Sequence, residues 1–217
     1  MKNITRVSDD RYSRDLRRYN LALRMLRLAA RPNTIRSWTG FSDHRVRGIL
    51  RSYRHGSHRV PGIRRGPSPT HLGALLANPN LRSELTAMAG LCRVLGLIPA
   101  ERISNARTRL PNIALGERLC HVLETFREIV PHARLTLEEL LLLVFALAEG
   151  DVWSVDHCTT CRAVILVDRL SVARRVCADC QQEACATKIV EHAAVEGSVP
   201  GAEPDPLGSA GVQQSLF

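Results

Sequence analysis

Along most of this chain, apolar residues recur at the three-and-four spacing of an α-helix. Leu16, Tyr19, Leu23, Leu26 and Ala30 fall on one side of a helix that begins at Asp15 and faces them toward a core. Pro32 ends that helix at about Arg31, because the residue before a proline is pushed out of helical geometry. Two short helices follow. Ile35 and Trp38 point inward from the first, Phe41 from the turn, and Val46, Ile49 and Leu50 from the second. Gly40 supplies the left-handed residue of a tight turn, so residues 33–50 read as a helix-turn-helix. Ser42 suits the N-cap of the second helix and Asp43 its positive end.

Further along, Leu81, Leu85, Met88, Cys92 and Leu95 make one stripe, stopped near Gly96 and Pro99. Leu115, Leu119, Val122, Phe126 and Ile129 make another, stopped by Pro131. Thr136 and Glu139 have capping-box spacing and open a helix through Leu140, Leu143, Val144 and Leu147 to Gly150, a C-cap. Residues 140–144 are apolar on every side, which places this helix in the centre of a core or against a partner.

The period changes after Gly150. Residues 163–167 are apolar and β-branched and predict a strand, 168–171 a turn, and 172–176 a return strand. Residues 182–194 suit a short helix. Residues 195–217, rich in Gly, Pro, Ser and Glu, predict a disordered tail. The expected fold is mainly α: a helical domain over 1–150, a small C-terminal β-hairpin module over 151–194, and the tail.

Chemistry enters through that module. Cys158 and Cys161 form one C-x₂-C pair, and Cys177 and Cys180 a second, fifteen residues further on. Each pair presents two thiolates from one turn, and four thiolates complete a tetrahedral zinc site. One zinc ion per chain is expected, structural because a Cys₄ site has no open position for water. Two disulfides, four free thiols or iron in place of zinc are the alternatives. His157 reads as a solvated neighbour, with a substitute ligand as the alternative, and Cys185 breaks the paired spacing and reads as a spare thiol. Cys92 and Cys120 lie on helical stripes and read as small core residues.

Charge is segregated. Residues 1–65 hold 17 Lys+Arg against 4 Asp+Glu, a net of +13, and residues 66–217 hold 13 against 17, a net of −4. A basic front half on an acidic remainder is the footprint of a nucleic-acid-binding protein. The helix after Gly40 exposes His44, Arg45, Arg47, Arg51 and Arg54, which fits a major groove; an ordinary helical hairpin with a solvated charged face is the alternative. Residues 55–70 form a Gly-, Pro-, His- and Arg-rich loop whose Arg59, Arg64 and Arg65 either follow a DNA backbone or are simply solvated. No HExxH or His-x-Glu deaminase signature is present, and a closed metal site argues against an enzyme. A zinc-stabilised protein–protein module without DNA binding keeps the cysteines but leaves the +13 half unexplained. The N-terminus lacks the apolar stretch of a signal peptide, and residues 140–148 are too short to span a bilayer. The expected setting is the cytoplasm, away from membranes.

Taken in order, the basic helix-turn-helix, helical middle and Cys₄ pairs resemble the FlhC family, flagellar master transcriptional activators and their relatives on mobile elements. The resemblance rests on Leu26-Arg27-Leu28-Ala29-Ala30-Arg31-Pro32 leading into Ile35 and residues 39–53, and on Cys158, Cys161, Cys177 and Cys180. It covers roughly residues 15–185. It implies a DNA-binding subunit that joins a small helical partner, FlhD, in a heterohexamer. That assembly binds double-stranded DNA upstream of promoters and recruits RNA polymerase, with the zinc region close to the DNA-contacting surface. The chain departs from the family at Ala29, where Gly is favoured, in its Arg/His loop at 54–65, and in its tail.

Overall fold

The computed structural model describes residues 10–55, 68–172 and 175–182. The described chain is mainly helical. In order come α1 (Asp10–Arg27), α2 (Pro32–Thr39), α3 (Asp43–His55), α4 (Leu72–Leu76), α5 (Pro79–Val94), α6 (Ala106–Arg109), α7 (Ile113–Ile129) and α8 (Leu137–Glu149). A two-stranded antiparallel hairpin follows, β1 (Trp153–His157) with β2 (Val164–Asp168). Two compact units divide the chain, Met1–Cys177 and Ala178–Phe217; the described part of the second is a helical turn over 178–182. The helix expected over 182–194 and the tail lie outside the described residues, apart from Gln182.

Helix α1 starts five residues earlier than its stripe suggested, and it turns a different face inward. Leu21, Ala22, Met25 and Leu26 are its buried residues. Leu16 is 47% exposed, and Tyr19 and Leu23 are only half-buried. Two apolar stripes overlap on this helix, and the inner one carries the smaller Ala22 and flexible Met25 that close packing tolerates.

The helix ends at Arg27 in a Schellman turn. The Ala30 N–H reaches the Met25 carbonyl at 2.9 Å, the Ala29 N–H reaches that of Leu26 at 3.0 Å, and Ala29 sits at φ 59°. A β-carbon in the left-handed region costs about 1–2 kcal/mol. Ala29→Gly relieves this but loosens the unfolded chain by about 0.5–1 kcal/mol. The expected net is a gain of about 0.5–1 kcal/mol in urea denaturation; a loss would contradict the turn.

The helix-turn-helix forms as its residues dictate. Gly40 is left-handed at φ 68°, and its N–H caps α2 on the Arg36 carbonyl. Ser42 Oγ accepts the Arg45 N–H at 3.4 Å at the start of α3. Ile35, Trp38, Phe41, Val46 and Leu50 are buried. Arg36 is half exposed and pairs with Asp43 at 3.3 Å. Trp38 carries the motif onto α8 by stacking on Phe145, with ring centroids 6.2 Å apart. Gly116 lets α1 and α2 close onto α7: a β-carbon there would lie 3.0 Å from both Leu21 and Trp38. Arg17–Glu117 and Arg24–Glu124 ion pairs border the same contact.

Helix α8 is the centre of the core. It packs against α4, α5, α6, α7 and β1, and nearly every side chain on it is shielded because neighbours surround it. Its capping box is made: Thr136 N–H to Glu139 Oε2 is 2.8 Å, and Glu139 N–H to Thr136 Oγ1 is 3.4 Å. On α5 and α7 the expected stripes face in, except at their ends. Leu95 caps α5 and Ile129 closes α7, and both are exposed.

The hairpin differs from expectation in its pairing. The strand expected over 163–167 is β2, but its partner is β1, which precedes the first cysteine pair. Residues 172 and 175–176 are not in a strand, and 173–174 lie outside the described residues. The hairpin also packs onto the helices. Trp153, Val155 and Leu166 pack on the core, and Gly90 of α5 leaves room for Val164. Arg93 donates to the Val155 carbonyl at 2.9 Å, and Arg169 to that of Gly150 at 2.8 Å. The division at 150/151 expected from the change of period is therefore bridged by packing. Among the described residues, no helix is long and apolar enough to cross a membrane.

Candidate metal centre and basic helix face

The first cysteine pair is the connection between β1 and β2. His157 pairs with Val164 at the end of the ladder, so residues 158–163 must reverse the chain. The Cys158 N–H bonds the Ala163 carbonyl at 2.8 Å and the Arg162 N–H bonds that of Cys158 at 3.1 Å. Arg162 takes the left-handed conformation, φ 63°, that completes the turn. The chain then returns past it. Thr159 N–H donates to the Arg175 carbonyl at 2.9 Å, and the Arg175 guanidinium pairs with Asp156 on β1. These contacts set Cys177 beside the first turn.

Cys158 is fully buried, and its Sγ accepts the Cys177 N–H at 3.3 Å. Cys161 Sγ and Cys177 Sγ are 3.6 Å apart. The Sγ atoms of Cys158, Cys161, Cys177 and Cys180 all lie within 4.8 Å of one another. A disulfide needs sulfurs at about 2.05 Å, and none of the six described cysteines is in a disulfide. Around one tetrahedral ion with bonds of about 2.3 Å, sulfurs stand about 3.8 Å apart. The spacing therefore fits four thiolates on a single ion, one metal site per chain.

The electrostatics favour the same use. Backbone N–H groups of Cys161 and Cys177 aim at Cys158 Sγ and bring its thiol down from 9.0 to about 6. N–H bonds to a ligating sulfur orient it and stabilise its charge, as outer-shell groups do in metal sites. The sign is that of a depressed acid. In the metal-free fold, the stability this thiolate contributes is fully present above pH 9.0 and is lost as pH falls through about 6. Cys92 and Cys120 behave oppositely: burial pushes both thiols up to about 12, which suits inert core residues. Cys185 lies outside the described residues. His157 is exposed and does not join the sulfur group.

On α3, His44, Arg47 and Arg51 are exposed and, at steps of three and four, share one stripe. The helix continues past Arg54, whose side chain lies outside the described residues, as do Arg59, Arg64 and Arg65. Arg45 is on the other flank of α3. Its guanidinium lies 4.7 Å from the ring centroids of both Tyr19 and Phe41, and its Nε donates to Tyr19 Oη at 3.0 Å. At about 100° per residue Arg45 stands well away from Arg47 and Arg51, while His44 borders both faces.

Sequence reasoning missed Glu138 altogether. It is 6% exposed and accepts the Arg31 N–H at 2.9 Å, the Thr34 hydroxyl at 2.7 Å and the Ser68 hydroxyl at 3.2 Å. Through these bonds α8 holds the α1–α2 connection. Its only sequence signal was an acidic residue in a first helical turn, which is common on surfaces. Compared with known protein families and with curated proteins, the chain matches none.

Proposed function

We propose that this chain is the DNA-binding subunit of an FlhC-type transcriptional activator, stabilised by one zinc ion. The observation that carries the reading is the α2–Gly40–α3 turn with His44, Arg47 and Arg51 in line on the exposed face of its second helix. A fixed turn holds α3 outward, and guanidinium groups on an outer stripe can pair with guanine or phosphate. The +13 charge of residues 1–65 supplies the attraction to a polyanion. Ala29 adds support: its backbone is left-handed at the position where the family favours glycine.

Zinc is the ion that four thiolates in two C-x₂-C turns suit best, and it would hold Cys158, Cys161, Cys177 and Cys180 together without opening a site for chemistry. The protein works by binding and not by catalysis. It acts in the cytoplasm with an FlhD-type helical subunit in a heterohexamer, and the assembly recruits RNA polymerase to flagellar or mobile-element promoters.

The test is a salt titration of binding to double-stranded promoter DNA from the host, with and without a co-expressed helical partner. Log affinity should fall linearly with log salt, with a slope of about −0.9 per phosphate neutralised. Arg47→Ala and Arg51→Ala should each reduce that slope by about one contact if the lost group held a phosphate, or cost about 1–3 kcal/mol at one base position if it read a base. Absence of DNA binding at low salt, or full affinity in the double variant, would contradict the reading. A second reading is a zinc-stabilised protein interaction module without DNA binding. It is favoured by Tyr12 and Leu16, large apolar side chains 41% and 47% exposed on α1. Partner binding without any DNA affinity would select it.

A further inference from the structure

The outer stripe of α1, exposed at Tyr12 and Leu16 and only partly covered by the core at Tyr19 and Leu23, does not end on the helix. Tyr12, Leu16, Tyr19 and Leu23 follow one another at steps of four, three and four, so they form a single seam. Tyr19 and Leu23 form one wall of a groove of about 700 Å³, and Ile49 and Tyr53 of α3 line it too. This groove lies on the flank of α3 away from Arg47 and Arg51. Tyr12 and Leu16 extend its apolar line toward the start of α1.

One charged group is fixed in it. The Arg45 guanidinium rests against Tyr19 and Phe41, and its Nε is engaged by Tyr19 Oη. Its two Nη groups make no hydrogen bond among the described residues. A guanidinium stacked this way has lost most of its rotamer freedom already, so it takes a carboxylate at low entropic cost. His44 also lines the groove, and among the described residues no acidic one does. The surroundings have the same sign: residues 10–55 hold twelve arginines and three aspartates. Two copies of this face would set arginines against arginines, which disfavours self-association. The apolar seam at helical spacing beside the groove suits a helix better than a small ligand.

We propose that the α1–α3 groove seats an acidic amphipathic helix from a partner protein. Its apolar stripe covers Tyr12, Leu16 and Leu23, and one of its carboxylates takes the open fork of Arg45. The inference deepens the reading above, resting on it for the presence of a partner and not for DNA binding.

The test uses the full chain and a fluorescent synthetic helix with leucines at seam spacing and glutamates beside them, compared with the same peptide carrying lysines for glutamates. The glutamate peptide should bind saturably, at least about tenfold more tightly than the lysine peptide. Leu16→Glu and Arg45→Ala should each weaken it by at least about tenfold. Leu16→Glu changes an exposed residue, so its helical circular dichroism and duplex-DNA affinity should match the parent chain. Equal binding of the two peptides, no binding, or an unaffected Leu16→Glu variant would overturn the proposal. So would a homodimer in sedimentation that Leu16→Glu dissolves, since a second copy would then cover the seam. Loss of DNA affinity in the parent chain with peptide binding intact would overturn the DNA reading alone.

Discussion

Cys158→Ser should abolish metal retention and weaken the C-terminal part of the first unit by more than about 4 kcal/mol, the largest effect expected of any single substitution here. Three facts make this cysteine decisive. It is fully buried, it accepts the Cys177 N–H, and it begins the turn that joins β1 to β2. A serine hydroxyl is a poor metal ligand at neutral pH, and the remaining three sulfurs would sit beside an ion they no longer enclose. Structural zinc supplies apparent binding energy of about 10–16 kcal/mol in small modules, and a chain that loses it loses the order it held. The loss should be local. The helices pack through their own core around α8, and Trp153 and Val164 anchor the hairpin independently of the sulfurs. Hydrogen exchange should therefore show lost protection at Cys158, Thr159 and Arg162 with α5, α7 and α8 unchanged. Equal protection and equal denaturant midpoints in parent and variant would contradict a metal-held turn.

Glu138→Ala should destabilise the whole helical body by about 3–5 kcal/mol, because it strands a charge. Arg31 is the group left behind. Its side chain is 14% exposed, its Nε and Nη1 are buried without hydrogen-bond partners, and Glu138 is its counter-charge at 3.8 Å. The Arg31 backbone N–H and the Thr34 and Ser68 hydroxyls would lose their acceptor as well. Glu138→Gln keeps an acceptor and should cost less, about 1–3 kcal/mol. Replacing both partners, Arg31→Met with Glu138→Leu, should cost less than Glu138→Ala alone, since no unpaired charge remains. Urea denaturation of the four chains measures this. A change below about 1 kcal/mol in Glu138→Ala would mean that solvent reaches Arg31 and that the bonds are not formed in solution.

What the sequence made legible was local. Gly40, the Thr136–Glu139 capping box and Gly150 each act within one turn of their own position, and each appears where its chemistry demands. The four cysteines were equally readable because their spacing is a chemical constraint. The unread parts depend on partners far along the chain. Strand β1 is only five residues long and was invisible until β2 paired with it. On α1, Leu16 and Leu21 are both plausible core residues, and only the position of α7, with its Gly116 gap, decides between them. Glu138 takes its role from Arg31, more than a hundred residues away. Arg45 looked like its neighbours in a list of arginines, yet the rings of Tyr19 and Phe41 set it apart.

The most direct measurement is the metal content of the full chain, purified without added metal and without chelator, alongside native-state alkylation of its cysteines. One zinc per chain, with Cys158, Cys161, Cys177 and Cys180 protected until a chelator removes it, is the predicted result. Metal far below one equivalent, or four thiols that alkylate freely in the folded chain, would contradict it.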